Sequence, residues 1–366
     1  MIQKTTLYDL HLASGAKMVP FSGWEMPLSY IGVPEEHRTV RTAVGLFDIS
    51  HMGRFELAGV GAAAALDFIT PGPLENLRPG GAQYSMLLNE AGGIIDDIYI
   101  YRRGVDRFFI IVNAANRAKD FAWMSSRLPT GAASAAGPTL TDISGETGLI
   151  ACQGPKSWEV LAQILPAGLA EIPLRQFIET DITPVPGVKI LVARTGYTGE
   201  KGYELVVPAD AAGAVWRALA DAGKAVGIQP IGLGARDTLR LEMGYLLYGH
   251  DMTETTSPVA ADLSRFIDWN KAFIGKAAVD RAPSARLIGF DLPEGGIPRE
   301  SCAILSDAKQ VGIVTSGNFS PMLRRGIGMG YVHADHADVG RAITIDIRGR
   351  ATAAIIVPRP FYSKKR

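Results

Sequence analysis

Two adjacent aspartates, Asp96 and Asp97, interrupt a run of residues that is otherwise apolar and typical of a buried strand. Because side chains alternate between the two faces of a strand, we expect one carboxylate to face a cavity and the other to face solvent. A carboxylate in a cavity can bind the polar edge of a heterocycle or move a proton. Alternatively, both acids are solvated at the start of the strand, directly after the Gly-Gly turn at 92–93.

The predicted partner of these acids is an amide on the next strand, Asn113. The two strands are predicted at 94–103 and 108–112, with a glycine turn between them. A two-residue turn at 104–105 places Asp96 opposite Asn113, whereas a three-residue turn at 104–106 places Asp97 there. Either register brings an acid and an amide together on one face, where they can bind paired donor and acceptor groups.

A charged run at 234–242, Gly-Ala-Arg-Asp-Thr-Leu-Arg-Leu-Glu, has the apolar spacing of a helix. Such charges are common on solvated helix faces, where local ion pairs add little stability. The functional alternative is that Arg236, at the start of the helix, recognises a carboxylate or a polar ring edge.

A glycine-rich loop at 196–204 contains Tyr197 and Tyr203. It is either a tight hairpin loop or a place where the backbone approaches a ligand and a tyrosine packs on a flat ring.

Several common catalytic motifs are absent. The chain has no GxxxxGK[ST] phosphate loop, no HExxH zinc motif and no GxSxG nucleophile elbow. The Gly-Met-Gly at 328–330 lacks the third glycine of a dinucleotide site. These absences favour chemistry by positioning, in which a carboxylate, polar groups and aromatic surfaces surround an organic ligand, without a metal.

Composition narrows the class of protein. The chain has 366 residues, 47% of them hydrophobic, which predicts more than one domain. Lys+Arg and Asp+Glu are equal at 37 each, which argues against a nucleic-acid partner. Cys152 and Cys302 form no CxxC and are expected to stay reduced. With no signal-type segment and no run of about 20 apolar residues, we expect a cytoplasmic protein without membrane contact.

The predicted elements favour an α+β fold, because strands and helices are mixed without regular β-α-β alternation. Helices are predicted at 34–43, 116–128, 211–226 and 235–247. The first is predicted to be closed by a left-handed Gly45, and Asn116 is the candidate N-cap of the second. Further strands are predicted at 188–193 and 204–207. From 287 onward, short β-rich runs with Gly and Pro turns predict a small separate β domain. The Ala/Gly-rich stretch 131–137 is predicted to be a surface loop.

Taken together, these motifs resemble those of the glycine cleavage T-protein family along almost the whole chain. The matching segments are 11–27, 36–53, 93–97, 112–114, 153–155, 194–200, 234–242, 273–276 and 315–321. The resemblance implies three α+β domains in a cloverleaf-like arrangement around a central folate channel, with a small C-terminal β-barrel or jelly-roll-like domain. The implied domains are approximately 1–52 with 144–176 and 235–275, then 53–143 with 177–234, and finally 276–366.

The resemblance also implies a function. Family members transfer a methylene group from aminomethylated lipoate on H-protein to tetrahydrofolate, the co-substrate, and release ammonia. It implies no metal, and a monomer. The family's essential acid matches Asp96, so Asp96→Asn is expected to lose most turnover and Asp97→Asn far less. The other residues implied to line the folate site are Met52, Tyr84, Ile111, Asn113, Phe177, Tyr197, Glu204, Arg236, Tyr248 and Arg265, with Glu204 and Arg236 at the polar edge of the pterin.

One departure from the family pattern keeps alternatives open. After Leu263 the family usually has Gly-Trp, with the Trp close to folate, whereas this chain has Ser264-Arg265. The alternative is a related tetrahydrofolate-dependent enzyme that acts on a methylated amine, sulfonium or ether. A further alternative is a non-catalytic folate-binding factor for iron–sulfur assembly. Those factors typically carry a cysteine in the loop that corresponds to 195–204, and this loop has none.

Overall fold

The structure, a computed structural model, describes residues 2–129 and 137–363. The predicted loop at 131–137 therefore lies almost entirely outside the described residues. The chain divides into two compact units, one of residues up to Leu87 with Asp96–Arg236, and one of Leu88–Ile95 with the residues from Asp237 onward. None of the helices described in either unit is long and apolar enough to span a membrane.

The secondary structure mixes helices and strands, which confirms the predicted α+β class. The helices are α1 (Tyr8–Ala13), α2 (Val33–Thr42), α3 (Ala62–Ile69), α4 (Arg117–Ser126), α5 (Ser157–Ile164), α6 (Ala212–Ala222) and α7 (Leu233–Glu242). The strands are β1 (Gln3–Lys4), β2 (Lys17–Phe21), β3 (Trp24–Ser29), β4 (Val44–Asp48), β5 (Gly53–Ala58), β6 (Ala82–Leu88), β7 (Ile94–Gly104), β8 (Arg107–Val112), β9 (Thr139–Asp142), β10 (Thr147–Gln153), β11 (Phe177–Asp181), β12 (Lys189–Ala193), β13 (Gly202–Pro208), β14 (Ile228–Pro230), β15 (Ala285–Leu292), β16 (Ala303–Ser306), β17 (Lys309–Ser320), β18 (Arg325–His333), β19 (Ala342–Ile347) and β20 (Arg350–Val357).

A five-stranded sheet, in the order β6-β7-β8-β5-β9, carries the paired aspartates. Its middle strand β8 is buried from Phe108 to Val112, because β7 and β5 flank it and both of its faces are covered. Such a strand needs apolar residues at every position, which explains its unbroken Phe-Phe-Ile-Ile-Val run. The sheet therefore holds the end of β8, where Asn113 lies, in a fixed position beside β7.

The second sheet of the first unit has the order β11-β12-β13-β10-β4-β14. Apolar residues of its strands pack against α5 and α6, with Ile150, Cys152 and Leu205 meeting Leu161 and Leu219 in one buried cluster. The pairing of β10 with β13 brings Gln153 beside Gly202 and Ala151 beside Glu204. This sheet therefore carries both ends of the glycine-rich loop.

Helix α2 ends at Thr42, and the prediction that Gly45 closes it in a left-handed conformation is wrong. Gly45 lies in β4 instead. A Cβ there would come within 2.5 Å of Val40 Cγ2 and 2.6 Å of Ile231 Cγ1, so the position needs glycine for packing. Helix α7 ends at Glu242 rather than at 247, because Gly244 adopts a φ of 65° that turns the chain out of the helix.

The second unit contains a closed barrel in the order β15-β18-β17-β16-β19-β20. Its interior is filled by buried residues from several strands, among them Phe290, Ile304, Val314, Ile345 and Ile356. A closed barrel leaves no unpaired strand edge, which suits a small β domain. The predicted C-terminal β-barrel is confirmed.

The three-domain boundaries and their arrangement around a central channel stay predictions. The strand pairing differs from them in one respect, because it places β11, β12 and β13 in one sheet with β4 and β10. The predicted boundaries instead grouped residues 177–234 with 53–143.

Candidate active site

Asp96 is completely buried and receives three N–H hydrogen bonds. Asn113 donates from its backbone N–H to Oδ2 at 2.9 Å and from its side-chain Nδ2 to Oδ1 at 2.9 Å. Asn116 donates from Nδ2 to Oδ1 at 2.6 Å. Asn116 directly precedes α4, as predicted, but its side chain forms no N-cap hydrogen bond and binds Asp96 instead. A residue that the sequence marked as an N-cap therefore belongs to the acid cluster instead.

The turn between β7 and β8 has neither of the predicted bounds, but the register that follows it is that of the predicted three-residue turn. Gly104 pairs with Arg107, and the register shifts between Arg102 and Gly104. Beyond the shift Tyr99 pairs with Ile111, which is the register of the three-residue turn and brings Asp97 level with Asn113. The irregularity in β7 therefore moves the acid pair by one position, which a turn length alone does not reveal.

Both acids bind the same amide, contrary to the expectation that one of them faces solvent. Asn113 lies just past the end of β8, and its Nδ2 also donates to Asp97 Oδ1 at 2.7 Å. Asp97 is half-buried and hydrogen-bonds the Tyr84 side chain. Burial and the negative charge of Asp96 raise the pKa of Asp97 to about 7, even though the Asn113 and Tyr84 hydrogen bonds lower it.

The two acids therefore have different environments. Asp96 has no exposed surface and its oxygens are occupied by N–H donors, whereas Asp97 retains accessible surface. A group that touches a substrate must be reachable, so the burial of Asp96 does not support the prediction that it is the reacting acid. Of the two acids, only Asp97 retains accessible surface.

Tyr84, Tyr197, Glu204 and Arg236 are half-buried, and electrostatic coupling links them to one another and to the acid pair. The Arg236 guanidinium lies 4.9 Å from the centroid of the Tyr197 ring, which is cation–π distance. Burial lowers the pKa of Arg236, while nearby Tyr197 and Glu204 raise it. Burial, Asp97 and Tyr197 raise the pKa of Tyr84 well above its ordinary value, so Tyr84 lies near both the acid pair and Tyr197.

The glycine-rich loop is supported from below by a buried amide. Gln153 donates from Nε2 to the Thr195 carbonyl at 3.1 Å and accepts a hydrogen bond from Thr198 Oγ1 at 2.9 Å. A Cβ at Gly196 or Gly202 would lie 2.1 or 2.2 Å from Gln153 Oε1. These two glycines therefore leave the space that the Gln153 amide occupies under the loop that carries Tyr197.

Gly202→Ala is expected to destabilise the protein by about 1–3 kcal/mol, because the new methyl group displaces a buried and hydrogen-bonded amide. The matched control is Gly145→Ala, where nothing lies within 4 Å of the new Cβ. Urea denaturation of both variants measures the difference. Equal midpoints for the two variants contradict this account of the loop.

Met52 lies in a short segment between β4 and β5 that a buried arginine holds. Arg54 is 1% exposed and donates hydrogen bonds to the carbonyls of Ser50, Met52, Ser144 and Thr147. Met52 itself is half-buried. The structure therefore fixes the backbone on which Met52 is presented.

His51, which directly precedes Met52 in the sequence, is buried. Burial and the charge of Arg236 lower the pKa of His51 to about 3, so the ring is neutral. Its Nδ1 has no hydrogen-bond partner within the described residues. The sequence does not single out His51, because a lone histidine beside a predicted site residue carries no separate signal.

Two other predicted residues are more deeply buried than a ligand contact requires. Ile111 is 6% exposed and Phe177 is 7% exposed. Phe177 packs edge-to-face on Tyr101 at 5.8 Å, and the Tyr101 hydroxyl donates to Glu204 at 3.4 Å. Thr195 also donates to Glu204, at 2.5 Å. Phe177 therefore supports the site through Tyr101, which the sequence analysis missed.

Tyr248 and Arg265 belong to the second unit, and their place in a folate site stays a prediction. Tyr248 donates its hydroxyl hydrogen to the Ile94 carbonyl at 3.1 Å. The Arg265 guanidinium lies 4.9 Å from the Phe266 ring centroid. Among the residues that the structure describes, no group of three or more His, Cys, Asp or Glu side chains has the arrangement of a metal site.

Comparison with known proteins covers the whole chain. The model of the GCVT N-terminal domain matches residues 7–271, and that of the glycine cleavage T-protein C-terminal barrel domain matches residues 286–363. The aminomethyltransferase of Picosynechococcus sp. is 45% identical over 373 residues, covering 100% of this chain and 99% of the relative. That of Geobacillus kaustophilus is 42% identical over 370 residues, covering 100% of both.

A solved structure agrees with these matches. The crystal structure of glycine cleavage system aminomethyltransferase T from Bartonella henselae has a TM-score of 0.89 and 33% sequence identity to this chain. The alignment covers 99% of this chain and 98% of that one. These findings confirm the resemblance inferred from the motifs: the chain belongs to the glycine cleavage T-protein family.

Proposed function

We propose that this chain is an aminomethyltransferase that moves a methylene unit from the aminomethylated lipoyl group of H-protein to tetrahydrofolate and releases ammonia. The observation that carries the proposal is Asp97, the acid of the pair that retains accessible surface and hydrogen-bonds Tyr84 and Asn113. Burial and the charge of Asp96 raise its pKa to about 7. The full-length likeness to aminomethyltransferases supports the proposal.

In this proposal Asp97 is the acid that contacts the reacting groups. The transfer forms two C–N bonds to nitrogens of tetrahydrofolate and breaks the C–S and C–N bonds of the aminomethyl group. The attacking nitrogens therefore lose protons, and the departing amine and the lipoyl sulfur take up protons, leaving as ammonia and a thiol. A carboxyl with a pKa near the working pH can accept one proton and return another. Asp96 accepts a hydrogen bond from the Asn113 side chain, which also donates to the Asp97 carboxyl and so fixes its position. Burial and the negative charge of Asp96 raise the pKa of Asp97.

The residues around Asp97 suit the binding of a flat, polar heterocycle. Tyr84 and Tyr197 are half-buried and supply aromatic rings, and Met52 adds an adaptable apolar side chain. Glu204 and Arg236 supply an acceptor and donors for the polar ring edge. When bound there, tetrahydrofolate supplies the nitrogen that takes up the methylene. A monomer stays the expected state.

The test is a coupled assay with purified protein, tetrahydrofolate and aminomethylated lipoyl H-protein. Folate-dependent formation of both methylenetetrahydrofolate and ammonia supports the proposal. Absence of turnover, with tetrahydrofolate still binding by calorimetry, contradicts the donor and redirects the search to methylated amines, sulfoniums or ethers. In that case Arg265, which stands where the family usually has Trp, is the first residue to exchange.

Arg236→Met is expected to raise the KM for tetrahydrofolate by about 10–100-fold with a smaller change in kcat, because charged hydrogen bonds contribute about 1.5–3 kcal/mol. The control is Arg78→Met, at an exposed arginine of the same unit. Steady-state kinetics with varied tetrahydrofolate measure both constants. An unchanged KM in Arg236→Met contradicts the role of Arg236 at the ring edge.

A further inference from the structure

Asp120 is a buried acid that the proposed reaction does not use. It lies in the first turn of α4 and has no exposed surface. Within the described residues, neither of its carboxyl oxygens receives a hydrogen bond from an N–H or O–H group. A buried carboxylate without donors is strongly disfavoured, so this group needs a proton or a partner.

The neighbour of the Asp120 carboxyl is the carboxyl of Asp96, which lies within hydrogen-bonding contact. Two carboxylates in such contact cannot both be ionised, because their charges repel in a site that excludes water. One of the two therefore carries a proton and donates it as an O–H hydrogen bond to the other.

The hydrogen bonds decide which acid carries the proton. Asp96 accepts three N–H hydrogen bonds, from the Asn113 backbone and from the side chains of Asn113 and Asn116. A carboxylate whose two oxygens are both acceptors satisfies all three donors. Asp120 has no such donors, so the proton belongs on Asp120. Burial, and secondarily the charge of Asp96, raise the pKa of Asp120 to about 11. The other charged groups that act on Asp120 are Lys119, which lowers this pKa, and Asp97, which raises it.

We propose that Asp120 is a positioning residue that stays protonated and donates an O–H hydrogen bond to Asp96. Asp96 then remains the anion that orders Asn113 and Asn116 and faces Asp97. The effect of Asp120 on turnover rests on the proposed function, whereas its protonation does not.

The test compares two substitutions of similar size. Asp120→Asn keeps a donor, because the amide N–H replaces the carboxyl O–H, while Asp120→Leu removes it. We expect Asp120→Asn to keep most of the turnover and Asp120→Leu to lose at least about 10-fold, with the pH profile of kcat/KM displaced. Equal losses in both variants overturn the proposal.

A direct measurement is independent of activity and of the folding of the Leu variant. Infrared spectra at pH 9, where Asp97 is ionised, are expected to show a protonated-carboxyl C=O band in the wild-type protein that Asp120→Asn removes. Absence of the band from the wild type, or its persistence in Asp120→Asn, overturns the proposal.

Stability provides a second independent measurement. The folded protein keeps a proton that the unfolded chain releases above the ordinary pKa of 3.8, so the wild type loses stability relative to Asp120→Asn as the pH rises from there. The urea midpoint of Asp120→Asn is therefore expected to exceed that of the wild type by more at pH 9 than at pH 4. A constant or reversed difference overturns the proposal.

Discussion

Asp97→Asn is expected to lower kcat by about 10²–10⁴-fold, the usual contribution of a positioned acid or base, while leaving the fold intact. The reason is that an amide can keep the hydrogen bonds to Tyr84 and Asn113 but cannot accept and return a proton. Residual turnover should also lose the pH dependence centred near the raised pKa of Asp97, about 7. Single-turnover kinetics between pH 5.5 and 8.5 provide the measurement.

Asp96→Asn is the informative comparison, because it tests the assignment that the motif alone favoured. Replacing one oxygen by NH2 sets a donor against the donors of Asn113 and Asn116, so this variant is expected to lose stability as well as activity. Calorimetry therefore separates the two roles, since only Asp96→Asn should lower Tm. If Asp97→Asn retains near-normal turnover in a stable protein, Asp96 is restored as the reacting acid.

Arg54→Met is expected to destabilise the protein by about 2–4 kcal/mol, because it leaves several buried carbonyls without a donor. The guanidinium donates to Ser50 at 2.7 Å and to Thr147 at 2.8 Å, and it also reaches the Met52 and Ser144 carbonyls. Its side chain also spans two segments distant in sequence, 50–54 and 144–147. Because the first of them presents Met52, we expect tetrahydrofolate binding to weaken as well.

The control is Arg103→Met, which removes a guanidinium that is 21% exposed and paired with Glu56 and Glu179. Ion pairs that remain in contact with solvent contribute about 0–1 kcal/mol, so urea denaturation should show a small change. A loss in Arg54→Met no larger than that in Arg103→Met is evidence against a structural role for the buried arginine.

Much of the fold was predictable, because it depends on local patterns. The apolar run of β8 and the short Gly- and Pro-bounded strands of the barrel follow from strand periodicity. Helix ends were harder to predict. Gly45 has the residue type of a helix terminator, but it lies in a strand. Val40 of helix α2 and Ile231, which is distant in sequence, pack so closely against it that no side chain fits there.

The residues that form the candidate site were predictable from the sequence, but the role of each acid was not. The sequence placed an acid pair beside an amide, a glycine-rich loop and an arginine at a helix start, and these side chains lie in one unit. It could not decide which acid is accessible, because a register shift inside β7 and the burial of Asp96 depend on the packed sheet.

The sequence by itself determined the family, the α+β class and most residue types at the site. The tertiary structure alone decided that Asp97 is the accessible acid, that Asn116 binds Asp96 rather than capping α4, and that Asp120 lies against Asp96. The physical reason is that protonation and hydrogen bonding depend on burial and on neighbours from other elements, which residue spacing along the chain does not specify.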